Sequence, residues 1–257
     1  MKLALLIVLV LAGSCGKFKF FKKSSQQKQD ISKIYASGTL KVNVFYETGA
    51  EPFTDVTGAE LNLPGVTQLK VFNVLKENLK ALFPGKNIDV PLDLSQMSKI
   101  STQNQSVWSF EAIDAIGKSY GQPSAGDITV FNVFFVKGHS VDGDLVIGLH
   151  LSGTKTLMIF KDTVNSVSQT DVVKMYVEQS TLIHEMGHGI GLVNNGLPMT
   201  TAHEDTAHKP HCSNPDCVMY WQNEGFADLV NFAKSRATNL NPVMFDQACL
   251  KDVTSYK

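Results

Sequence analysis

The segment Thr181-Leu182-Ile183-His184-Glu185-Met186-Gly187-His188-Gly189-Ile190-Gly191 concentrates residue types that can do chemistry. Two histidines four apart lie on one face if the segment is helical, because side chains at i and i+4 stack there. Both imidazoles can then reach one metal ion. Zn2+ suits them, since it accepts neutral histidine nitrogens at about 2.0–2.1 Å and a catalytic site keeps one of its four positions open for water. Glu185 is then placed to act on that water as a general base rather than to bind the metal.

The elements that must position these groups can be read around them. Upstream, Ser168 or Thr170 can cap a helix whose first turn carries Asp171 and whose apolar residues fall at 172, 173, 176 and 177. Gly187, Gly189 and Gly191 crowd the far end, and Gly191 is a natural place to leave the helix through a left-handed conformation.

Downstream, His211-Cys212-Ser213-Asn214-Pro215-Asp216-Cys217-Val218-Met219-Tyr220 sets a histidine eight residues before a methionine. The combination resembles the metzincin clan of zinc proteases, whose pattern is HExxHxxGxxH followed by a methionine-bearing turn. The His-to-Met spacing resembles matrix metalloproteinases, and His-Cys-x4-Cys-x-Met resembles archaemetzincins. One position departs: Asn194, not histidine, stands three after Gly191. A neutral amide oxygen binds zinc more weakly than imidazole or carboxylate. An insertion over about 193–210 would restore the spacing and make His211 the third ligand, with His208 and His203 as rivals inside the loop. Three histidines in nine residues also admit a second metal there. The resemblance implies that Met219 forms an apolar floor beneath the metal; Tyr220 has either an oxyanion-stabilising or a structural role.

Residues 1–14 read as a signal peptide: Lys2, an apolar run too short to span a bilayer, then the small residues Ala12-Gly13-Ser14. Cys15 follows where a bacterial lipobox carries its lipid-modified cysteine, although Ala12 stands where leucine is usual. The expectation is an exported protein, periplasmic or on the cell surface as a lipoprotein anchored to a membrane through Cys15, with simple secretion as the alternative. Residues 15–38 read as a tether, lysine-rich and without an acid as far as Gln29, and too short for a folded inhibitory pro-domain.

Residues 39–257 remain for one catalytic domain with a sizeable core, expected to be a monomer. The formal net charge of −1 argues against nucleic acid as a partner, because no basic stripe outside the tether would neutralise phosphates. Strand patterns at 40–46, 88–94, 127–136, 145–151 and 156–161 interleave with helical patterns at 66–83 and 108–120, and further helices follow at 223–234 and 245–253. This order resembles a metzincin domain and implies an α+β fold. Its parts would be a twisted mixed sheet, an active-site helix and a smaller C-terminal helical subdomain. The stretch 145–151 would be the edge strand beside which an extended peptide adds.

Cys212 and Cys217 are close enough to form a disulfide in an oxidising compartment, with Cys249 left over or displacing one of them. A second zinc, which archaemetzincins carry, would need more thiolates than the sequence places nearby. The function these readings imply is a zinc-dependent endopeptidase acting on extracytoplasmic proteins or peptides. Its alternative is a non-catalytic, metal-containing surface or periplasmic binding lipoprotein.

Overall fold

The computed structural model describes residues 25–57, 68–224, 226–237 and 241–256. The signal segment, Cys15 and the first part of the tether lie outside the described residues, as do residues 66 and 67 of the expected first helix. At the centre is a mostly parallel mixed sheet built on β1 (Thr39–Glu47) and β7 (Ile128–Val136), paired in parallel from Thr39↔Ile128 to Tyr46↔Phe135. β4 (Asn87–Asp89) and β5 (Ser98–Ile100) flank the two ends of β1; β10 (Thr156–Phe160) extends the sheet beyond β7. β9 (Gly148–His150) closes that side as an antiparallel edge. Two small ladders lie apart: β2 (Asp55–Thr57) with β3 (Gln68–Lys70), and β6 (Val107–Trp108) with β8 (His139–Ser140).

Both faces of the sheet are covered, which is why its central strands read as near-continuous apolar runs. Along β7, Phe131, Val133 and Phe135 enter the main core while Phe134 and Val136 point to the opposite face. The same period of two sorts Leu157 and Ile159 of β10 from Met158 and Phe160. The main core receives α2 (Phe72–Leu82) and the long helix α5 (Asp171–Ile190); the smaller one receives Ile113 and Ile116 of α3 (Phe110–Tyr120). A short helix, α4 (Lys161–Ser166), runs on from β10 toward α5. There Lys161 and Glu178, both buried, form a short ion pair, and the second carboxylate oxygen of Glu178 accepts the Phe53 N–H at 3.0 Å. After the long loops that follow α5, α6 (Phe226–Ala237) packs on α5, and α7 (Gln247–Ser255) packs near α2.

Three expected boundaries move. Residues 25–36, expected as the end of a tether, form α1 (Ser25–Ala36), with Ile31 and Ile34 buried; the folded unit therefore starts before residue 39. Ile31-x-x-Ile34-Tyr35 is a helical spacing that the lysine-rich run before it obscured. The strand expected over 88–94 is β4 only, since Pro91 has no N–H to give a ladder. The strand expected over 145–151 contracts to β9.

Candidate metal centre

α5 is capped at one end by Thr170, whose hydroxyl accepts the Val173 N–H, and at the other by Gly191 in the left-handed region (φ 95°). It is buried almost all round, so its register against the sheet is set by packing, and that register carries His184 and His188 to one place. Their rings are 4.7 Å apart and their Nε2 atoms 3.0 Å apart.

The chain then leaves in a way the strict pattern does not anticipate. Val193 and Asn194 both take positive φ (52° and 59°), and Asn194 is exposed. The chain returns at His211, whose ring lies 5.3 Å from that of His184 and 5.0 Å from that of His188. His208 goes elsewhere: it stacks on Trp221 at 3.7 Å with an interplanar angle of 9°, and its Nδ1 meets Asp205 at 3.0 Å. His203 goes elsewhere again, with Nε2 on Asp252 at 2.7 Å.

Two backbone carbonyls set the tautomers of the converging rings. His184 donates Nδ1–H to the Val218 carbonyl (2.7 Å), and His211 donates Nδ1–H to the His208 carbonyl (2.7 Å). Each therefore presents its Nε2 lone pair to the centre, the arrangement by which outer groups orient metal-binding histidines. A residue the motif did not point to completes the group. Glu224 Oε1 lies 2.9 Å from His211 Nε2, 3.7 Å from His184 Nε2 and 3.9 Å from His188 Nε2. All four donor atoms fall within 4.8 Å of one another. Bonds of about 2.0–2.1 Å arranged tetrahedrally require donor separations of about 3.3 Å; the observed separations bracket that value. The donor set therefore fits zinc. Glu224 stands in a short 3₁₀ turn, Trp221–Glu224, with no periodic pattern that would mark it in the sequence.

Met219 is fully buried, and a Cβ on Gly187 would collide with its sulfur; only glycine there lets the methionine pack against the helix. Tyr220 is half-buried with its ring 6.0 Å from that of Trp221. Glu185, also buried, accepts the His150 N–H of edge strand β9 at 2.8 Å. Burial raises its pKa to about 7, the charge of His184 opposing the rise and that of Glu224 adding to it. Burial also works against an imidazolium at His184, but Glu224, Glu185 and the Val218 carbonyl together leave that pKa raised. At His188 burial and its histidine neighbours lower the pKa strongly. Glu224 is pushed the other way: hydrogen bonds with His184 and His211 outweigh burial and hold it below the usual carboxylate range.

A second group of donors sits behind the first. His203, Cys212, Asp246 and Cys249 bring one ligand atom each within 4.8 Å, with His203 Nδ1 3.4 Å from Cys212 Sγ. Cys217 Sγ lies 3.6 Å from Cys249 Sγ, and all three thiols are free and buried. Cys212 and Cys217 are thus not joined in a disulfide. The shortage of nearby thiolates expected from the sequence is also corrected, because α7 folds Cys249 back beside them. Hydrogen bonds from Cys217, Cys249 and His203 hold the Cys212 thiol well below its usual range, and Cys212 with Asp252 lifts His203 to about 9.

No family model matches the chain, and no curated protein does. Among solved structures, the chain is similar to a zinc-dependent peptidase from Methanocorpusculum labreanum. The identity is 12%, the match covers 82% of this chain and 99% of that one, and the TM-score is 0.41.

Proposed function

We propose that the chain is a zinc-dependent endopeptidase in which His184, His188 and His211 hold the metal and Glu185 is the general base. The observation that carries this reading is the convergence of three Nε2 atoms beside a glutamate held by an edge strand. Zinc, when bound, supplies Lewis acidity toward a peptide carbonyl and makes a water acidic enough to lose its proton near neutral pH. The remaining work falls to the protein. Glu185, buried next to His184 and held by the His150 N–H, is placed to accept that proton and to return it to the leaving amine. The His150 N–H holds its carboxylate from β9, which among the described residues pairs only with β10. That N–H points away from β10 and is itself taken by Glu185, so a peptide laid along this side of β9 as an added strand would meet the base at His150.

Export is part of the proposal and rests on the sequence: residues 1–14 direct it, with Cys15 as the point of attachment to a membrane and simple secretion as the alternative. Substrates are accordingly proteins or peptides outside the cytoplasm, with no nucleic acid, and the enzyme acts as a monomer. The second reading, a non-catalytic metal-binding lipoprotein, draws on Glu224, which supplies a fourth donor where a hydrolase needs an open position.

The deciding experiment compares wild type with Glu185→Gln for zinc content and for hydrolysis of casein or a peptide library. Full zinc content in both, with hydrolysis in the variant reduced by about 10²-fold or more, supports the enzyme. Equal rates, or none in either protein, reject it.

A further inference from the structure

Glu224 meets the histidines from an unusual side. A carboxylate that only orients a metal-binding histidine takes its distal N–H. Here the Nδ1 atoms of His184 and His211 are already taken by the carbonyls of Val218 and His208, and Glu224 Oε1 faces Nε2 atoms instead. It is also shared among all three rings, with separations of 2.9, 3.7 and 3.9 Å. A partner of one histidine has no reason to be so centred; a ligand of the ion between them does.

The turn carrying Glu224 is fixed on two sides. On the buried side, the Asn223 side-chain amide donates to the Cys217 and Val218 carbonyls, both at 3.1 Å. On the outer side Trp221 lies flat against His208 of the 193–210 loop, and His208 is held by Asp205. Glu224 itself keeps 31% side-chain exposure, against 3–11% for the three histidines, so it is the donor that can leave toward solvent.

We propose that Glu224 is a fourth, displaceable ligand that closes the metal shell at rest, kept in place by the stacking of Trp221 on His208. The inference rests on the zinc reading above. It gives the 193–210 loop a role: the loop delivers His211 to the site and His208 to the latch. An incoming group that binds zinc must displace the carboxylate, and whatever unstacks Trp221 lowers the cost of doing so.

The test uses the full chain loaded with zinc or cobalt(II), for wild type, Glu224→Gln, Glu224→Asp and His208→Ala, plus Glu185→Gln as a control. Zinc affinity is measured by competition with a chromogenic chelator, coordination by the visible absorption of the cobalt form, and access by titration with a peptide hydroxamate. Loss of the fourth ligand should weaken zinc binding in Glu224→Gln by about tenfold or more, change the cobalt spectrum and tighten hydroxamate binding. Glu224→Asp, which keeps the charge but shortens the reach, should do the same in smaller measure. His208→Ala should leave zinc affinity within about twofold and still tighten hydroxamate binding. Unchanged zinc affinity and cobalt spectrum in both Glu224 variants overturns the proposal, and so does weaker hydroxamate binding in them. The two readings fail separately. Equal hydrolysis by wild type and Glu185→Gln removes the peptidase while leaving a spectral effect of Glu224 standing, and an unaltered Glu224→Gln spectrum removes the fourth ligand while leaving the peptidase.

Discussion

His211 and His208 are three residues apart, yet the chain sends one into the metal centre and the other onto an indole ring. Their alanine variants should therefore separate cleanly. His211→Ala removes one of three nitrogen donors and should abolish stoichiometric zinc, whereas His208→Ala should retain it; elemental analysis after dialysis decides. Sequence spacing alone left these two and His203 as alternatives, because ligand chemistry is the same for all three. What separates them is backbone direction after Gly191, where positive φ at Val193 and Asn194 carries the loop away before it returns. His203 makes a further prediction through its charge. In the metal-free protein its pKa is raised to about 9, by Cys212 first and Asp252 as well. A raised pKa stabilises the fold fully below the unfolded value of about 6.5. That contribution is lost as pH rises through about 9. The Tm of metal-free wild type, taken relative to that of His203→Gln, should accordingly fall between about pH 7 and 9, and scanning calorimetry at stepped pH reads the difference. Equal slopes would mean that His203 is not charged in the fold.

At the scale of elements, the site depends on α5 holding a single register between the sheet and α6. The period-two strands and the capped, apolar α5 were legible in the sequence because each follows from local pattern. The Lys161–Glu178 contact was not, since nothing in the sequence pairs the start of α4 with the middle of α5. Both groups are buried, and Glu178 also accepts the Phe53 N–H, while Lys161 Nζ lies 4.1 Å from the centre of the Phe53 ring. Removing one partner leaves the other charge uncompensated, a loss of about 3–5 kcal/mol. Glu178→Ala should show a fall of that size in unfolding free energy by urea titration, with zinc affinity changed less than in His211→Ala. Replacing both residues by apolar ones of similar volume should restore much of the stability. A single variant as stable as wild type would mean that water reaches the pair. Glu224 escaped a sequence reading for the same reason as this pair: the histidines it faces lie 13, 36 and 40 residues away through turns with no period.

For the molecule as a whole, α1 links the last helix, α7, to the place where α5 stops. Tyr35 packs against Phe83 (5.4 Å between rings) and Tyr256 (4.6 Å), and Lys86 reaches the Tyr35 carbonyl at 2.8 Å. Ile31 occupies the space beside Gly191, where an added Cβ would come within 2.6 Å of it. The glycine thus serves two needs at once, a left-handed cap and room for α1. If the helix belonged to a tether, a chain beginning at Gly38 would lose nothing but a solvated spacer. The packing argues otherwise. Uncovering buried isoleucines at a site that cannot collapse costs about 2–5 kcal/mol each when they are truncated to alanine. Ile34→Ala alone should therefore lower Tm by roughly 5–15 °C in a domain of this size. The shortened chain should fall further, and because α1 braces the exit from α5 that leads on to His211, its zinc affinity should fall with its Tm. A chain beginning at Ser25 should match the longer one in both measurements. If the chain from Gly38 matched it as well, α1 would be an appendage and the domain would begin at β1.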